Sequence, residues 1–369
     1  MKNLLKKYSS LLLLCLLIHP AGVLAAPPLQ TAKKRIVKTY TDLKNERLVI
    51  NNQYGDVVVK TWHQQKIMVV VTLSAHAKTQ LAANRLLERV SIDAGRNENQ
   101  ISLTSLIKEQ IKPLPPGLTL QKKSGVTDTA GRENLLPKEG CNIRYEIFLP
   151  ADVSMRITNR FGNMTIADYS GVLDLENKFG NVKAGILTGP TKLNIEQGDI
   201  DLKHISGGNL KAKVFGSIKI GTIGGKVSGA FSSGNLLDIG LSNKADSVII
   251  DADNVQQMNI TGTTATNAGY SIKTILSKFL NKSTLQLKEL ANGERKLQSK
   301  LGVDSLAMLL KNKTGVQSGS EKDLELQKKK LQITLISQLK KLREYEGING
   351  NAKGKVSIKV AFTALNILN

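Results

Sequence analysis

Cysteine is nearly missing from this chain of 369 residues, which has only Cys15 and Cys141. Cys15 lies in a leucine-rich leader read below as a cleaved signal, so the mature protein keeps Cys141 alone. An intramolecular disulfide is thereby excluded, even in an oxidising compartment. Cys141 reads as a small buried residue beside a strand over 143–149, and a reactive thiol is the lesser alternative because no histidine lies near it. Histidine is scarce as well. Beyond the leader only His63, His76 and His204 occur, without zinc-like Cys/His spacing. Aromatics make up 4% of the residues, with Trp62 the one tryptophan, so the stacking surface expected of sugar subsites is thinly supplied. No phosphate-cradling Gly-Lys-Ser/Thr loop, nucleophile elbow or dinucleotide fingerprint is present. Acidic residues are the minority charge, 30 against 52 Lys and Arg, for a formal net charge of +22.

The leader explains part of that excess. Lys2, Lys6 and Lys7 precede an apolar run over 11–18, and small residues follow at Ala25 and Ala26, which is the order of a secretory signal over 1–26. The run is short for a membrane span, and Cys15 lacks the small residue that precedes a lipid-modified cysteine. Cleavage would release a mature chain of about 343 residues with about 19 excess positive charges, in the periplasm, on the outer surface or secreted. Such a charge favours anionic partners, a glycan or a lipid surface, through salt-sensitive attraction; a merely solubilising surface is the alternative. Nothing points to a specific nucleic-acid site.

What is abundant is glycine at a fixed beat. Gly162, Gly171, Gly180, Gly189, Gly198, Gly207, Gly216, Gly225 and Gly234 recur every nine residues. The second residue after each glycine is largely apolar, as in Met164, Leu173, Val182, Ile200, Ile218 and Val227. The third is largely polar, as in Thr165, Asp174, Lys183, Lys192, Asp201 and Lys219. This is the alternation of half-buried strands, restarted by a residue that adopts positive φ or passes close to another backbone. A nine-residue unit cannot bury its own apolar face and must stack on copies of itself. The fold class expected is therefore mainly β: a single-chain parallel β-solenoid of nine-residue half-coils, two to an 18-residue coil. Phe161, Phe179 and Phe215 precede alternate glycines and predict a stacked aromatic ladder at one corner, broken at Gln197.

Around this core the chain divides into a signal peptide over 1–26, a β-rich region with a short helix and a loop excursion over 27–150, a regular solenoid over 151–265, a basic amphipathic helical insertion over 266–346 and a closing strand over 347–369. The short helix is expected over 77–90, where Ala82, Leu86 and Val90 share a face, and the excursion over 107–140. In the insertion, Ile272, Ile275, Leu276, Phe279 and Leu280, then Leu331, Leu335, Leu339 and Leu342, follow helical spacing, with Ser320 and Asp323 as a start signal. Such helices would pack on the solenoid flank, or offer a site to a protein partner or a membrane.

Calcium-binding nine-residue repeats need an aspartate in every unit, and the acids here do not recur, so neither metal nor cofactor is expected. Asp199 and Asp201 alone hint at the paired carboxylates of a carbohydrate-active β-helix enzyme; solvated surface acids are the plainer reading. No catalytic, cofactor-binding or metal residue is nominated. His204, inside a repeat, is expected to face outward.

The segment Asn52-Gln53-Tyr54-Gly55-Asp56-Val57-Val58-Val59, the strand Tyr145-Glu146-Ile147-Phe148-Leu149-Pro150 and the Asn-x-Phe-Gly-Asn units at Asn159 and Asn177 resemble a bacterial "putative adhesin" family, the head-GIN-like group. The resemblance covers roughly 36–262 and the closing strand, implies a β-solenoid, and brings no catalytic residues. With it, the sequence points to an exported, non-enzymatic cell-envelope or surface protein, adhesin-like in binding or scaffolding through a solenoid face. The alternatives are a carbohydrate-active enzyme on a β-helix and, by analogy alone, an accessory of envelope-stress signalling.

Overall fold

The computed structural model of the chain is described over residues 29–43, 45–108, 139–290 and 342–369. These residues are mainly β. In chain order the elements are β1 (Gln30–Tyr40), β2 (Arg47–Tyr54), β3 (Val57–Thr61), β4 (Ile67–Ala77), helix α1 (Gln80–Glu88), β5 (Val90–Asn97), β6 (Gln100–Ile107) and β7 (Gly140–Leu149). There follow β8 (Ser154–Phe161), β9 (Met164–Ile166), β10 (Leu173–Phe179), β11 (Val182–Leu187), β12 (Thr191–Gln197), β13 (Ile200–Lys213) and the long run β14 (Ser217–Thr261). The last are β15 (Ala268–Ile275), β16 (Phe279–Asn281), β17 (Leu287–Glu289), β18 (Leu342–Ile348), β19 (Gly354–Ala361) and β20 (Ala364–Ile367).

In the regular middle each residue pairs with the one 18 positions away, as Met155 with Leu173 and Leu173 with Thr191, always in parallel. A nine-residue unit thus stacks on the next unit but one. Two columns result: β8, β10 and β12 form the first, while β9, β11 and the start of β13 form the second. Along each strand Met155, Ile157, Leu173, Leu175, Leu193 and Ile195 are buried. Their neighbours Arg156, Asp174 and Lys192 face outward at register-equivalent positions. One apolar cluster runs through both columns, from Leu48 to Ile367, which is how strands too short to fold alone share a core.

The glycine beat has two physical causes. Gly162, Gly180 and Gly198 have φ of 146°, 133° and 124°, a region closed to most side chains. The intervening Gly171 and Gly189 are kept small by proximity, since a Cβ at Gly171 would lie 2.6 Å from the Val153 carbonyl oxygen.

At Gly207 the beat slips. Thr191 pairs with Gly208, and Gly208 with Val227, across an irregularity between Ile205 and Gly207. Asn209 stands second after Gly207, the position that is apolar and inward in most units; the slip exchanges the faces, so Asn209 is exposed and Leu210 is buried. Leu237 likewise replaces Leu236 inside.

Both ends are spliced. Strands β2 and β3 lie between β8 and β9 on one side and β6 and β7 on the other, so the N-terminal turn of chain is enclosed by segments far later in sequence. The C-terminal end repeats the device: β19 pairs in parallel with residues 247–253 of β14 and with β15. Antiparallel strands cover the outside. At the N-terminal end β4 pairs with β7, β1 with β4 and β5 with β6; at the other, β18 pairs with β15 and β17 with β18. Helix α1 falls within the predicted 77–90; the Thr79 hydroxyl accepts the Ala82 N–H at its start, and Ala83 packs on Ala32 and Ala77.

Two expectations need correction. Residues 266–290 are not helical: Ile272 and Ile275 belong to β15, Phe279 and Leu280 to β16, and Leu342 opens β18. The apolar spacing misled because Tyr270 and Thr274, buried beside Ile272, complete a period of two that a count of aliphatics overlooks. Leu331, Leu335, Leu339, Ser320 and Asp323 lie outside the described residues, as does most of the 107–140 excursion. The single closing strand is a pair, β19 and β20, turned at Phe362 with φ of 52°, like the neighbouring corners at Asn254 and Leu276 with φ of 55° and 50° and unlike the glycine corners of the regular middle.

Candidate functional site

The Asn-x-x-Gly spacing has a structural meaning. Asn52, Asn159 and Asn177 occupy equivalent inward positions on β2, β8 and β10, and all three are buried. Each side-chain amide donates to the carbonyl three residues on, at 3.0 Å to Gly55, 3.1 Å to Gly162 and 2.7 Å to Gly180. Asn52 also donates to Asn159 Oδ1 at 3.1 Å and accepts from the Ser105 hydroxyl, which meets the Tyr145 hydroxyl at 2.9 Å. Burial pushes the Tyr145 pKa up to about 12, so that phenol stays protonated. The next rung is Ile195, and Asn177 Oδ1 there has no partner.

A second ladder lies just past the glycines. Asp56, Asn163, Asn181 and Asp199 each turn a side-chain oxygen to the N–H of the following rung: Asn163 at 2.9 Å, Asn181 at 2.9 Å, Asp199 at 2.8 Å and Ser217 at 2.7 Å. Beside it Tyr54, Phe161 and Phe179 stack with centroids 5.3 and 4.9 Å apart. Phe215 is outside that stack and 63% exposed.

Residues of β6, β2, β8 and β10, the buried Asn52, Ser105 and Asn159 among them, line a groove of about 340 Å³. Asn51, Thr104 and Thr158 form its floor in one register row, and Asn51 donates to the Thr104 hydroxyl at 3.3 Å. Gln53, Arg160 and Lys178 form its rim. Arg160 lies over the Phe161 ring at 5.4 Å, while Lys178 is 3.6 Å from Glu196 in an exposed, weak pair. A smaller cleft of about 240 Å³ is lined by Trp62, His63 and Asp152. The Trp62 ring there contacts Phe148 at 5.5 Å and Lys66 at 5.5 Å.

The two acids singled out in the sequence each have a partner of their own. Asp199 is held at its corner by the Ser217 N–H, and Asp201 projects from β13 towards Lys183 at 3.9 Å. Cys141 is buried in β7, and desolvation pushes its thiol pKa up to about 11, which suits a packing role. His204 is half-buried and contacts the Thr222 hydroxyl at 2.6 Å; His76 contacts Thr31 at 3.0 Å. Among the described residues no group of three or more His, Cys, Asp or Glu could hold a metal ion. The groove itself escaped the sequence reading, because Asn51, Thr104 and Thr158 come from distant segments and only pairing aligns them.

The two histidines carry a pH dependence. Desolvation first, then Lys244 for His204 and Lys33 for His76, lowers both pKa values. The folded protein therefore binds fewer protons than the unfolded chain, and this stability drains as pH falls below the unfolded histidine value of about 6.5. The urea midpoint is expected to fall between about pH 7 and pH 5.5, and the His76→Gln, His204→Gln double variant to flatten that slope.

Among the described residues no helix is long and apolar enough to cross a membrane. No family model matches the chain, and no curated protein matches its sequence. A solved structure from Clostridium sporogenes, a "putative cell adhesion protein", is similar at 10% identity and a TM-score of 0.22, covering 91% of this chain and 99% of its own. A "putative adhesin" from Bacteroides fragilis is similar at 13% identity and a TM-score of 0.30, covering 62% of this chain and 88% of its own. At these TM-scores neither likeness carries any part of the functional reading.

Proposed function

We propose that the chain is an exported, non-enzymatic envelope or surface protein, wound as a β-solenoid whose long outer face binds an acidic glycan or lipid surface. The observation that carries this is the 18-residue parallel register, which repeats outward polar positions along two columns on one shared core. Repetition of that kind makes an extended recognition face. It puts Arg156, Asp174 and Lys192 in one outward row, and Lys183, Asp201 and Lys219 in another. The wider excess of lysine supplies long-range attraction to anions, which salt screens.

Retention of the mature protein on anionic vesicles and on acidic polysaccharide tests the reading. It is expected to weaken steadily between about 0.05 and 0.5 M salt, with no turnover of the polysaccharide. Binding indifferent to salt, or release of shortened sugar, contradicts it. Export is checked by sequencing the N-terminus of the protein recovered outside the cytoplasm. The expected start lies just after Ala25 or Ala26, whereas a chain still beginning at Met1 rejects the signal.

A further inference from the structure

The groove across β6, β2, β8 and β10 combines several features that suit a ligand. Its volume of about 340 Å³ lies within the range of small-ligand sites. Its floor is built of hydroxyl and amide groups, which both donate and accept, and so match a polyhydroxylated ligand better than an apolar one. Part of the lining is itself fixed: Asn52, Ser105 and Asn159, all at most 2% exposed, are joined in one hydrogen-bonded chain to Tyr145. Groups so fixed lose little freedom when a ligand arrives.

The rim supplies sign. Arg160 and Lys178 stand on adjacent strands, and Arg160 has no acidic partner among the described residues. Its guanidinium is steadied by the Phe161 face, leaving its fork of N–H groups for a pair of anionic oxygens. The neighbouring aromatics stack on one another, so the groove offers no open ring for a nucleobase.

We propose that this groove binds an anionic saccharide unit, with Arg160 holding its carboxylate or sulfate and Asn51, Gln53, Thr104 and Thr158 its hydroxyls. The proposal rests on the surface-binding reading above and narrows it to one site.

Calorimetric titration of the full mature protein with polygalacturonate, dextran sulfate and neutral dextran tests it. The first two distinguish a carboxylate from a sulfate, and tighter binding of either than of dextran supports the proposal. Arg160→Gln is expected to lower that affinity about tenfold or more, and Thr158→Val, which alters no charge, at least threefold, both with unchanged unfolding midpoints. A control lacking the edge cations (Lys33, Lys34, Arg35 and Lys38, all to Gln) should stay within about twofold of wild type. If the control loses affinity and the groove variants do not, attraction is diffuse; the groove is then excluded while surface binding stands. Equal binding of dextran removes the role given to Arg160. No binding of either acidic polymer overturns the groove proposal, and the surface-binding reading falls with it only if anionic vesicles are not bound either.

Discussion

Deleting residues 354–369 should unfold the strands over about residues 247–289, well beyond the deleted stretch itself. Strand β19 is clasped between residues 247–253 and β15, so its removal leaves two facing edges separated by an empty strand position. The side chains lost include Val356, Ile358, Val360, Leu365 and Ile367, all fully buried. At roughly 2 kcal/mol each, they represent on the order of 10 kcal/mol, comparable to the whole stability of a domain. Limited proteolysis should open the truncated chain throughout about residues 247–289, while the columns around β8 to β12 stay resistant. A deletion of residues 29–40 is the contrast. Among the described residues strand β1 pairs with β4 alone and exposes most of its side chains, so its loss should lower the unfolding midpoint without opening the columns. Equal resistance of full-length and C-terminally truncated chains would show that β19 is not an internal strand.

Gly198→Val should be among the most damaging single changes in the regular columns, and Lys192→Val among the mildest. Gly198 has φ of 124°, and a Cβ there would overlap the Gly180 carbonyl oxygen. The strained backbone alone costs about 1–3 kcal/mol, and the overlap adds to it because backbone cannot step aside as a side chain can. A total loss of about 3 kcal/mol or more is expected. Lys192 is exposed on β12, where substitutions usually shift stability by about 0.5 kcal/mol or less. Both variants gain the same valine, so the difference in urea midpoints isolates backbone geometry from hydrophobicity.

The contrast shows where the sequence is legible. The glycine period and the alternation of Leu173, Leu175, Val182 and Ala184 with polar neighbours report local geometry, and the short helix follows from Ala82 and Leu86. Pairing distance does not announce itself so directly. Phe161 and Phe179 hint at it by their 18-residue separation, and they do stack. The spliced ends are silent in sequence, because nothing in residues 354–367 says that their partners lie about a hundred positions earlier. The excursion after Tyr270 reads as helix when only aliphatics are counted, since buried Thr274 carries the strand period in a polar residue. The groove is hidden for the same reason as the splice: its floor exists only once Thr104, Asn51 and Thr158 are in register.

The corner ladder from Asp56 to Asp199 acts as a ruler. Each side-chain oxygen finds its N–H on the next rung, which in the regular part lies 18 residues on. Excising residues 181–198 would bring Asp199 directly after Gly180, where its N–H meets Asn163 Oδ1 in place of that of Asn181. Excising one residue fewer would strand both partners and turn the buried face outward. The length of the molecule is accordingly quantised: duplication or loss of a whole unit alters it by about 4.8 Å, the spacing of neighbouring strands, and intermediate lengths are forbidden by the corner chemistry. The span of the stacked columns can thus change by copying existing rungs, with no new contact to be invented.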